Sequence, residues 1–148
     1  MHTPPPARPP GGLDDGPLQE TDALIIRSVD YRERDRVLTL LTRGHGRVSA
    51  LARGARGSKG GFSAMLQPYT LLRLRLRVGR GAMCTVTGAH QVRVYPGILA
   101  DLQRMRVAGA GLGLVGGLCP DGQPEPEIFA LAMRWLVVME DRGDPAAV

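Results

Sequence analysis

Residues 71–78 read LLRLRLRV, and no other stretch limits so sharply what the chain can fold into. Leu72, Leu74, Leu76 and Val78 alternate strictly with Arg73, Arg75 and Arg77. A period of two belongs to a β-strand, so the aliphatic residues share the core side and the arginines form a row on the other face. A helix would scatter both sets around its circumference. Neighbours in the row stand ~6.5 Å apart, twice the rise of a strand residue. That pitch suits successive phosphates of an extended single strand. A half-buried strand whose wet face happens to be arginine has the same pattern, and only the sequence around it separates the two readings.

Just upstream, residues 46–70 read GRVSALARGARGSKGGFSAMLQPYT, a strand running into a glycine-rich basic loop. Gly54, Gly57, Gly60 and Gly61 let the backbone turn tightly and come close to a ligand, while Arg53, Arg56 and Lys59 bring positive charge to the same place. The loop has no acid to cancel it. Residues 23–95 hold fourteen Lys and Arg against three Asp and Glu, a balance of +11, whereas residues 1–22 and 96–148 each come to −3. Only Lys59 of the nineteen basic residues is lysine. Codon usage in a GC-rich genome explains arginine in place of lysine, but it would spread arginine evenly and does not explain the clustering.

The loop is not a nucleotide-hydrolysing P-loop. In GARGSKGG, Lys59 is followed by Gly60, where the motif needs Ser or Thr, and the glycine spacing is wrong. A strand lies on each side, whereas a P-loop joins a strand to a helix. Cys84 and Cys119 stand 35 positions apart with no CxxC, and His2, His45 and His90 are scattered, so neither zinc, a disulfide scaffold nor a Cys/His catalytic pair is signalled. Cys84 reads as a small buried residue of a strand. No cofactor and no enzymatic turnover are expected.

The remaining elements follow from turn chemistry and periodicity. Residues 21–29 are a β-rich first strand, and 31–36, YRERDR, are the loop after it, where Glu33 and Asp35 have arginines to bridge to. A second strand, 37–42, turns through Gly44-His45-Gly46 into a third, 47–53. Strand 71–78 is the fourth, and 82–94 the fifth, with Gly88 at a bulge or bend. Five short strands without crossover helices indicate a small closed barrel, and the count favours an OB-fold over an SH3-like barrel or a sandwich. From Tyr95 the pattern becomes helical. One helix carries Ile98, Leu102, Met105, Leu112 and Val115 on a stripe, with Gly109, Gly113 and Gly116 offering a flat face for another helix. A second helix, 126–140, is apolar almost all round, so part of its surface, Trp135 included, is expected to stay exposed or to meet a partner.

Three regions result: a Pro/Gly-rich disordered tail (1–20), an OB-fold domain (21–96) and a partial helical domain (97–148). The start lacks the apolar core of a signal peptide, and the longest apolar run, 107–119, is too short to span a bilayer, so a cytoplasmic chain with no membrane contact is expected. Phe62 and Tyr69 flank the basic loop and Tyr31 lies in the first, but six aromatic residues are few for stacking, so phosphate contacts are expected to dominate.

An ordered set of residues, Tyr31, Glu33, Asp35, Arg36, Thr39 to Thr42, Gly46, Arg47, Arg53 to Arg56 and Leu66 to Tyr69, resembles the N-terminal half of the bacterial RecO family. The likeness covers residues 21–95 well and PEPEIFALAMRWLVVME more loosely. It implies an OB-fold that binds single- and double-stranded DNA, anneals complementary strands and works in DNA repair and recombination with RecR, and in some members RecF, to load RecA onto DNA coated by single-strand DNA-binding protein. Family members have a longer helical domain and some carry a four-cysteine zinc module. This chain has two expected helices and neither feature, as in a fragment, a truncated gene or a short member.

The DNA-binding set expected from the charge pattern is Arg34, Arg36, Arg47, Arg53, Arg56, Lys59, Arg73, Arg75, Arg77 and Arg80. The alternative is a protein-interaction module whose basic barrel and apolar helices dock an acidic protein.

Overall fold

The computed structural model describes residues 16–56, 61–79 and 83–141. Five strands, β1 (Leu18–Tyr31), β2 (Asp35–Thr42), β3 (Gly46–Ala52), β4 (Thr70–Val78) and β5 (Met83–Val94), close into a barrel in the order β1-β2-β3-β5-β4. Every pairing is antiparallel except β3 with β5, a parallel contact from Ser49↔Met83 to Leu51↔Thr85 that shuts the ring. A short 3-10 helix, Gly61–Met65, lies in the β3–β4 connection. The expected mainly-β OB-fold barrel with a helical annex is the fold observed.

Alternation on β4 sorts the residues as its period requires. Leu72, Leu74 and Leu76 are fully buried in the barrel interior with Ala23, Ile25, Leu38, Leu40 and Val86, while Arg73 and Arg75 are exposed outside. Leu71, Leu24 and Leu41 are apolar residues of a second cluster, on the outside of the barrel, where Ile98, Ala108, Leu112, Phe129 and Leu136 cover them. Apolar residues on both faces of these strands therefore explain why the helices dock where they do.

β1 starts earlier than its periodicity indicates. Residues 18–20, assigned to the tail, are strand and pair with β4, and the Pro17 carbonyl accepts a hydrogen bond from Val78 N–H at 3.0 Å. Residues 1–15 of the expected tail lie outside the described residues. Gly88 stands beside a bulge as expected: Arg75 faces Gly88 and Leu76 faces Val86, leaving Thr87 as the extra residue. Two further bulges, one at Val92 of β5 and one on β1, are not legible in the sequence. Ile25 pairs with Leu40 and Arg27 with Thr39, so Ile26 is the extra residue.

The single helix expected after Tyr95 is two: α1 (Pro96–Leu99) and α2 (Leu102–Gly117). Asp101 breaks it, adopting extended backbone and accepting hydrogen bonds from Gln103 and Arg104 N–H at 3.0 and 3.3 Å, a side-chain N-cap. Leu102, placed on the buried stripe, is 62% exposed in consequence. α3 (Pro126–Asp141) follows.

The glycines of α2 also act differently from expectation. Gly111 is the one against which Trp135 of α3 packs, and its ring N–H donates to the Ala108 carbonyl at 3.0 Å. Gly116 faces Ile26 and Gly109 faces Tyr69, so both serve contact with the barrel, and Gly113 faces open space. Gly111→Val should displace the protein's only tryptophan and destabilise the fold by ~1–3 kcal/mol, as overpacking does. Urea unfolding followed by tryptophan emission measures it; an unchanged midpoint and spectrum would contradict the packing.

Candidate nucleic-acid interface

The first basic cluster is assembled where β1 turns into β2 and β3 ends. Arg32 has a positive φ of 57°, which turns the chain sharply. Gly54, at φ 72°, donates its N–H to the Asp35 carboxylate at 2.9 Å. Arg56 donates its backbone N–H to the Arg34 carbonyl at 2.9 Å and a guanidinium N–H to the Arg32 carbonyl. The two loops are thereby bound side by side, and Arg32, Arg34, Arg36, Arg53 and Arg56 share one end of the barrel. Asp35 is engaged by Gly54 and bridges no arginine among the described residues. Asp30 takes the bridging role, 3.5 Å from both Arg36 and Arg56. Arg36 also donates to Ser28 Oγ at 3.2 Å. The Arg34 side chain has no partner among the described residues.

The second cluster is the β4 row. Arg73, Arg75 and Arg77 do line up outside the barrel, but β1 lies beside them with two carboxylates. Asp22 holds Arg73 at 3.1 Å, and Glu20 lies 3.8 Å from Arg73 and 3.2 Å from Arg75. Arg77 donates to the Gly16 carbonyl at 3.2 Å. The row is an ion-pair ladder rather than a bare cationic track. Its charge balance was misjudged because Glu20 and Asp22 precede the basic segment in sequence and join it only through strand pairing. The pairs of Glu20, between half-exposed side chains, contribute roughly 0–1 kcal/mol each, whereas Asp22 is only 19% exposed.

Other expected residues are placed elsewhere. Arg47 forms an ion pair with Asp121 at 2.8 Å, and its carbonyl accepts from Gly122 N–H at 2.8 Å, so it fastens the α2–α3 connection to the barrel. Arg43 performs a similar task, bound to Asp22 at 3.2 Å and stacked 4.5 Å from the Phe129 ring centre. Lys59, Arg80 and the middle of the glycine loop lie outside the described residues. Two cations missed by the charge-run reading are Arg32, over the Tyr31 ring at 5.0 Å, and Arg27, which no described residue partners.

The helices leave an apolar face uncovered. Val107, Leu114 and Leu118 of α2 and its end, and Leu131 and Val138 of α3, are exposed, Leu114 at 76%. Trp135, expected on the exposed part of its helix, is half-buried on Gly111. No helix among the described residues is long and apolar enough to cross a membrane.

A strand-and-turn pattern of this kind has known relatives. The family described as "Recombination protein O N terminal" matches residues 18–95, the five strands of the barrel. The chain belongs to the RecO family. Proteins called DNA repair protein RecO are similar over most of its length: that of Geobacter metallireducens is 38% identical over 84% of this chain and 50% of the relative. The Myxococcus xanthus protein is 38% identical over 82% and 50%, and that of Anaeromyxobacter sp. strain K 40% over 82% and 48%. The RecO match thus runs past the barrel into the helices, and the chain spans about half the length of these curated relatives.

Cys84 is buried on the inner side of β5, and burial pushes its thiol above the usual range. Iodoacetamide at neutral pH should leave Cys84 unmodified in the folded protein and label it once urea is added, read by peptide mass spectrometry. Native labelling as fast as that of a free thiol would contradict its position.

Proposed function

We propose that this chain is a DNA-binding mediator of repair and recombination, acting by holding strands rather than by catalysis. The carrying observation is the basic end of the barrel, where Arg32, Arg34, Arg36, Arg53 and Arg56 come from two connections tied together by Gly54, Asp35 and Arg56, with Asp30 beside Arg36 and Arg56. Planar guanidinium groups match phosphate oxygens in pairs. In this reading Arg34, Arg36, Arg53 and Arg56, with Arg32, grip the backbone of single- or double-stranded DNA first. Lys59 and Arg80 join the set by their charge in the sequence alone, and Arg73, Arg75 and Arg77 extend the grip once their present partners are displaced. Arg47 contributes by keeping the helices on the barrel.

Family membership supports the further roles of strand annealing and RecA loading with RecR, in some cases RecF, on DNA carrying single-strand DNA-binding protein, in the bacterial cytoplasm at the nucleoid. The exposed apolar face of α2 and α3 favours a protein contact in addition to DNA.

Titrating a labelled oligonucleotide at several salt concentrations tests the grip. Affinity should fall with a log-log slope of about −0.7 for each phosphate neutralised on a single strand. Arg34→Ala with Arg56→Ala should flatten the slope. Glu20→Gln, which leaves Asp22 and its Arg43 contact in place, should tighten binding and steepen it, because Arg75 is released from its carboxylate. Salt-independent binding, or no binding, would leave the protein-interaction reading.

A further inference from the structure

Between the barrel and α2 lies a cleft of about 460 Å³, within the ~300–1,000 Å³ of sites that enclose a small molecule. We infer that this cleft takes one unpaired nucleotide of the bound strand, its base against the apolar part of the lining and its phosphate on Arg27. The inference rests on the DNA-binding reading and adds to it a place where a base, and not only the backbone, is held.

Several observations converge on the cleft. The β1 bulge puts Ile26 against Gly116 of α2 and restarts the alternation at Arg27, so that Arg27 and Ser28 both line the opening. Bulges commonly redirect a side chain in this way beside a functional site. Arg27 is exposed and has no partner among the described residues, unlike the arginines of β4. Arg36, at the same rim, is held by Ser28 and Asp30. The rest of the lining is mixed: Leu66, Tyr69 and the buried side chains of Leu38 and Leu112 give it an apolar part, and Ser63 and Gln67 a polar one.

Tyr69 gives the geometry a further sign. It is a non-glycine residue at φ 57°, a conformation unfavourable for an aromatic side chain, and its hydroxyl reaches α2, 3.1 Å from where a Cβ on Gly109 would stand. Gly109 therefore leaves room for the ring, which closes one side of the cleft. A Tyr ring and aliphatic side chains beside a guanidinium with no partner among the described residues suit a flat base joined to a phosphate. A paired duplex keeps its bases stacked and has none to offer, so the site discriminates single strands from duplex.

The test compares oligothymidine, an abasic oligomer of equal length and a duplex, each titrated against the full chain and against Arg27→Ala. Oligothymidine should bind about tenfold tighter than the abasic strand, a factor in line with one stacked base. Arg27→Ala should weaken oligothymidine about fivefold, by loss of one phosphate contact, and leave the duplex within twofold; Arg27→Lys should recover part of the loss. If abasic and normal strands bind alike, or Arg27→Ala weakens single strand and duplex equally, or not at all, the cleft inference fails while DNA binding stands. If neither DNA form binds, both fail.

Discussion

Strand β1 is shared by the two sides of the barrel, and that sharing is the constraint on which the rest depends. Its first half pairs with β4 and its second half with β2, and Ala23 pairs with both, opposite Leu72 and Thr42. Small, fully buried Ala23 sits where the two pairings meet. The three-pair contact of β3 with β5 then completes the ring. A closed ring leaves its central strands no free edge, which is why a small barrel needs no covering sheet. Beyond Ala23, the bulge at Ile26 fits β1 under α2, so the strand that shapes the barrel also seats the helices.

The same strand sets the electrostatics. Its first half brings Glu20 and Asp22 against the β4 arginines, and its second half brings Asp30 to Arg36 and Arg56. Carboxylates in these positions pair with the arginines that the proposed DNA contact would use. Asp22 does most, since it binds both Arg73 and Arg43 and is only 19% exposed, and through Arg43 the barrel reaches Phe129 of α3. Removing it would disturb the helix contact as well as the row.

Local patterns were legible wherever the period and the turn residues decide the structure. The alternation of residues 71–78, the hairpin at Gly44-His45-Gly46 and the bulge beside Gly88 all follow from composition within a few residues. What long-range register decides was not legible. Nothing near Arg73 in sequence announces Asp22, some fifty residues away, and Ile26 looks like an ordinary strand residue until Gly116 stands opposite it. Asp101 was a readable signal that the helical periodicity concealed, because a side-chain cap needs only an acceptor two or three residues before the N–H groups it binds. Among the candidate site residues, those of the two loops are brought together, while Arg47 is diverted to Asp121 by a loop that no local pattern connects to it.

The central claim is that DNA meets the barrel first at the arginine cluster where β1 turns into β2 and β3 ends. Amide hydrogen exchange with and without a saturating single-stranded oligonucleotide addresses it most directly, because every backbone segment reports at once. Protection on binding should be greatest over residues 27–39 and 53–56, weaker over 73–77, and absent from α3. Protection confined to the helices, or to β4 and β5 with none in the β1–β2 turn, would contradict the account.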